Sequence, residues 1–138
     1  LSASGTDPII LGVNANGTFY FNTQRTAEGA RIMYGGSWSS GVEREVVLYV
    51  KLNSVDANGN SRPDGVVSVW VDGNRVMHGT DWRFRGHDSP YFDSGNYWEP
   101  EHGINSIKWN PTWPNGGDSP SESMWERIYH IKVVSGQG

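Results

Sequence analysis

The longest regular pattern in the chain runs over residues 43–53, where side chains alternate between two faces. Val46, Leu48, Val50 and Leu52 fall on one side, and Val47, Tyr49, Lys51 and Asn53 on the other. Period-two alternation of this kind predicts a β-strand with one dry face. A second run, residues 66–72, places Val67, Val69 and Val71 on one side and Val66, Ser68, Trp70 and Asp72 on the other. Shorter runs predict strands at residues 9–13, 18–21, 31–34, 75–78, 82–85, 104–109 and 127–134. Asn16-Gly17 and Asp72-Gly73-Asn74 supply the positive φ that tight hairpins need.

Stretches rich in Gly, Ser, Asn, Asp and Pro separate the strands, at residues 35–41, 54–65, 86–103 and 111–124. No segment keeps a 3.6-residue apolar period, so no helix is expected. A count of about seven to nine short strands predicts an all-β chain, an antiparallel β-sandwich or jelly roll.

Composition sharpens this picture. A chain of 138 residues suffices for one domain with its own core, so residues 1–138 are expected to form a single β-sandwich. Charged residues are only 19%, and polar surface is left to Gly, Ser, Asn and Thr, as in many secreted all-β proteins. An extracellular location is therefore expected. Cysteine is absent, which excludes disulfides and thiolate chemistry. Formal net charge is -4 without any Lys/Arg run, which argues against a nucleic-acid partner. No apolar stretch reaches membrane-spanning length, so no membrane insertion is expected. The first residues lack the pattern of a signal peptide and the chain begins without Met, which points to a processed or truncated product of a longer protein.

The polar face of the two strong strands is where binding chemistry concentrates. If they pair, Tyr49, Lys51 and Asn53 lie beside Ser68, Trp70 and Asp72. A sugar ring offers an apolar C–H face and a polar rim, which suits aromatic stacking flanked by Asn, Asp or Lys; Lys and Arg also pair with a uronate carboxylate. The same aromatics serve equally as strand formers under a second small core. Arg83 and Arg85 alternate onto one side of their run, as a carboxylate fork or as edge-strand charges.

The four histidines, His78, His87, His102 and His130, lack zinc-site spacing, so no metal site is assigned to them. Any one of them can serve as a base near neutral pH. Asp56, Asn58, Asn60 and Asp64 offer oxygens at near-alternating spacing, a minor calcium candidate. Ser61 and Val67 stand where a full calcium loop requires Gly and Glu, and no cofactor is expected.

The stretch Val46 to Asn53, then Asp64 to Gly73, then Trp82-Arg83-Phe84-Arg85, resembles the C-terminal half of β-jelly-roll polysaccharide lyases. These are the alginate and glucuronan lyases with a concanavalin A-like sandwich. Ile107, Trp109, Trp113 and Gly116-Gly117 extend the likeness, with a weaker echo at Tyr129 to Val134. The resemblance implies an acidic polysaccharide as partner and β-elimination as chemistry: a cation neutralises the uronate, a base takes the C5 proton and an acid protonates the leaving oxygen. It makes Lys51 and Tyr49 the catalytic candidates and Arg83 and Arg85 substrate contacts, while the pattern of the polar face adds Asn53, Ser68 and Trp70 as substrate contacts.

The chain is shorter than those lyases, and their N-terminal half has no counterpart in it. Leu48 replaces a usual Gln, and Tyr129-His130 a usual Asp-Asn pair. Binding is therefore expected ahead of catalysis. The rival reading is a structural subunit of an extracellular filament, surface layer or virion that self-associates as a homo-oligomer. An active β-eliminating lyase is the third.

Overall fold

In the computed structural model of the chain, residues 9–14, 16–39, 41–88 and 104 are described, all within the compact unit Leu1–Asn105. They form two three-stranded antiparallel sheets and contain no helix. The all-β expectation holds for the described residues. The expected strands at 104–109 and 127–134 and the loop at 111–124 lie outside the described residues, Ile104 excepted.

The first sheet takes β1 (Ile9–Val13), β2 (Thr18–Thr26) and β3 (Gly29–Ser37) in that order. Its first hairpin closes as expected: Gly17 has φ 81°, and the Gly17 amide donates to the Asn14 carbonyl at 2.8 Å. In register, Leu11 faces Phe21 and Phe21 faces Met33, which places these apolar side chains on one side. Gly12, Tyr20 and Tyr34 make the corresponding row on the other side, where a side chain at Gly12 would collide with the Tyr20 ring. β2 and β3 run well beyond the expected 18–21 and 31–34. Thr23 and Thr26 carry that extension although they are not apolar. Both are fully buried, and Thr26 Oγ1 donates to the Gly29 carbonyl at 2.7 Å.

The second sheet is β4 (Val46–Lys51), β5 (Gly65–Val71) and β6 (Asn74–Trp82), with β5 central. Asp72 and Gly73 both have positive φ, 49° and 77°, as a type I′ hairpin requires. Val67, Val69 and Val71 are buried, as their alternation predicted. They share a core with Phe19, Phe21, Met77, Trp82 and Phe84, so the two sheets lie face to face in a sandwich-like arrangement. Trp82 meets Phe21 edge-on at 5.2 Å and stacks on Phe84 at 5.9 Å. Each such aromatic, fully enclosed, contributes roughly 1.5–3 kcal/mol of burial.

Two expectations are corrected. Residues 82–85 do not make a strand of their own: Trp82 ends β6, paired with Gly65, and Phe84 follows it into the core outside the ladder. β4 is also not dry on one face along its length. Val50 and Leu52 pack against the core, but Val46 and Leu48 are 38% and 39% exposed. Alternation fixes which side a residue faces; covering that side takes a second layer, and the described core stops short of the first half of β4.

Candidate functional site

The side of the second sheet away from the core gathers most of the expected site residues. Antiparallel partners point to the same side. Val47 faces Trp70, Tyr49 faces Ser68, and Lys51 faces Val66. The ladder continues into β6, where Ser68 faces His78 and Trp70 faces Arg75. Tyr49, Ser68 and His78 thus form one row across three strands, with Trp70 and Arg75 in the neighbouring row. Tyr49 and Lys51 are exposed and two residues apart on one strand, about 7 Å along it. Trp70 is half-buried.

Ser68 Oγ and His78 Nδ1 are 2.8 Å apart, with Ser68 buried and His78 exposed. This bond fixes the imidazole in the row beside Tyr49. Among the described residues, the other ring nitrogen of His78 has no hydrogen-bond partner, and the Lys51 ammonium makes no hydrogen bond or close ion pair, its charge acting on the Asp64 carboxylate from farther off. Sequence reasoning did not select His78 or Arg75. His78 was one of four histidines able to act as a base, but only the hairpin at Asp72-Gly73 bore on where either residue lies, and two register shifts between β5 and β6 hide which of their residues share a side.

Asn53 is corrected: it does not lie on the open face. It is fully buried, past the end of β4, where strand alternation no longer governs direction. The Phe84 and Arg85 amides donate to its Oδ1 at 2.7 and 3.0 Å, and its Nδ2 donates to the Ser54 and Arg85 carbonyls. Asn53 staples the end of one strand to the chain leaving another. Arg85 belongs to this staple, its Nε donating to the Asn53 carbonyl at 3.1 Å. Arg83 pairs with Asp88 at 3.4 Å. Both arginines lie beyond the ladder that carries Tyr49, Lys51 and Trp70.

The 54–65 loop is organised by its own donors. Asp56 Oδ1 accepts the Asn58 and Asn60 amides at 2.8 and 2.9 Å, and these bonds hold its carboxyl below the usual range. For Asp64, burial pushes the carboxyl up, but the Ser54 hydroxyl and amide outweigh it and the net direction is down. The two carboxylates therefore serve different donors. Among the described residues no three His, Asp or Glu side chains cluster as metal ligands.

A charged cluster stands apart from this face. Arg31 lies 4.1 Å over the Trp82 ring and pairs with Asp81 at 2.8 Å and Glu28 at 3.2 Å. Burial pushes the Glu28 carboxyl up, more than Arg31 pulls it down. Nothing in the spacing of residues 28, 31 and 81 announced this cluster, which depends on β3 meeting β6.

No family model, curated protein or solved structure matches the chain.

Proposed function

We propose that the open face of β4, β5 and β6 binds an acidic polysaccharide outside the cell, within a sandwich of the jelly-roll, concanavalin A-like kind. One observation carries the reading: ladder register brings Tyr49, Trp70, Lys51, Arg75 and His78 to one side of one sheet whose other side, the first half of β4 apart, packs on the core. The aromatics supply surfaces for C–H faces of sugar rings. The cations and the imidazole supply donors for hydroxyls and uronate carboxylates. The repeating spacing of strands about 4.8 Å apart suits an extended polymer better than a compact ligand.

The test is calorimetric titration with alginate, glucuronan and a neutral glucan. Binding to the uronates that falls about tenfold or more in Trp70→Ala and in Lys51→Ala supports the reading. No heat with any of the polymers, or affinities unchanged in both variants, overturns it.

A second reading, β-elimination, has one observation in its favour: the Ser68-anchored imidazole of His78 stands in the same row as Tyr49, with Lys51 next along the strand. That places a proton acceptor, a phenol and a cation on one side of the sheet. Appearance of unsaturated product absorbance, lost in Lys51→Ala, supports it; absence of product from a polymer that binds leaves binding alone as the function.

A further inference from the structure

The outer edge of β4 pairs with nothing among the described residues, because the sheet order is β4-β5-β6 and β5 takes the other edge. An open edge presents a row of N–H and C=O groups, and proteins usually blunt such edges with bulges, Pro or charges. β4 carries no bulge and no Pro, and its single charge is the terminal Lys51. Its register with β5 is unbroken from Val46–Val71 to Lys51–Val66, whereas β2–β3 and β5–β6 each contain shifts. Four consecutive apolar residues, Val46, Val47, Leu48 and Tyr49, are 38%, 46%, 39% and 49% exposed, two on each side of the strand. Charges stand only at its ends, Glu45 before it and Lys51 closing it.

The geometry points to a second copy of this chain as the occupant, paired antiparallel through β4 about a two-fold axis at Leu48. The end charges select this register. With Leu48 facing the second copy's Leu48, Val46 meets Val50 and Val47 meets Tyr49. Glu45 then meets the second copy's Lys51 at both ends. Each aliphatic row on the core side continues into its counterpart, and each charge finds its opposite. Such an interface is isologous, as a closed dimer requires, and joins two three-stranded sheets into one of six. The strand is short, six residues, so the contact is small and the dissociation constant is expected on the order of 100 μM. This inference rests on the edge of β4 and not on glycan binding, although it shares Lys51 and Tyr49 with the proposed binding face.

The experiment is sedimentation of the full chain from about 10 μM to about 1 mM, a range spanning that constant. Concentration-dependent dimerisation is expected. Glu45→Lys and Lys51→Glu each set like charges opposite each other at both ends, and each is expected to weaken dimerisation at least about tenfold. An equimolar mixture of these two variants restores it, because one copy then carries Lys at both positions and the other Glu. The double variant restores it as well. Both positions are exposed, and circular dichroism of each variant verifies an intact fold. A monomer throughout the range, a dimer indifferent to either single change, or a mixture that stays monomeric overturns the proposal.

Discussion

Removing the Asn53 side chain would strand buried backbone groups on both segments it joins. Its carbonyl oxygen serves the amides of Phe84 and Arg85, and its amide nitrogen serves the carbonyls of Ser54 and Arg85. Each unsatisfied buried group costs about 1 kcal/mol or more, so Asn53→Ala is expected to lower stability by about 3 kcal/mol in urea unfolding. Asn53→Asp is expected to recover none of this, since its second oxygen would face the Ser54 and Arg85 carbonyls where a donor now stands. Glu28 gives a prediction of the opposite kind. Burial raises its folded pKa, so its contribution to stability is complete below the ordinary carboxylate range and is lost as pH rises through the folded value. Glu28→Gln stays neutral and is expected to melt above the parent at pH 7, with the difference vanishing below about pH 4. A melting series between those limits reads it directly. Neither role was legible in the sequence. Asn53 followed the parity of a strand that ends at Lys51, and Glu28 acquires its burial from a turn whose amides bond to the carbonyls of Arg83 and Phe84.

Strands were legible where valine alternated and illegible where polar residues carried the ladder. Val67, Val69 and Val71 announced β5 and its buried side. β2 gave only its first half, because Thr23 and Thr26 are buried through hydrogen bonds that no apolar pattern records. Tyr49, Lys51, Ser68 and Trp70 were legible as one face because the β4–β5 register has no shift. His78 and Arg75 were not, since each bulge in the β5–β6 ladder moves one residue out of phase. The approach of β3 to β6 was also hidden. At Gly35 an added Cβ would run into the Val76 carbonyl oxygen and crowd the Met77 side chain, so backbone itself is the obstacle. Gly35→Ala is expected to cost about 2 kcal/mol by forcing the two strands apart. Gly41→Ala, at a turn glycine with φ 77° and open space around its Cβ, separates this effect: it carries backbone strain of about 1 kcal/mol without a collision. Chemical denaturation of the pair distinguishes crowding between strands from loss of glycine freedom.

Over the whole molecule, net charge of -4 opposes approach of a polyanion, while the proposed binding face presents the cations Lys51 and Arg75. Which influence prevails depends on distance. At 0.15 M salt the screening length is about 8 Å, so charges farther from the ligand are largely screened. Cations on neighbouring strands remain within about 10 Å of a polymer lying on the face. Contact charge therefore governs affinity, and overall charge governs the rate of encounter at low salt. Raising salt from about 0.05 to 0.3 M is expected to weaken alginate or glucuronan binding several-fold while leaving a neutral glucan unaffected. Arg75→Gln, outside the residues expected from sequence, is expected to flatten that salt dependence without abolishing binding. Calorimetry with both polymer types across the salt series checks this. Uronate affinity that does not respond to salt would mean that Tyr49 and Trp70 bind sugar rings without help from the cations, and would detach acidic specificity from this face.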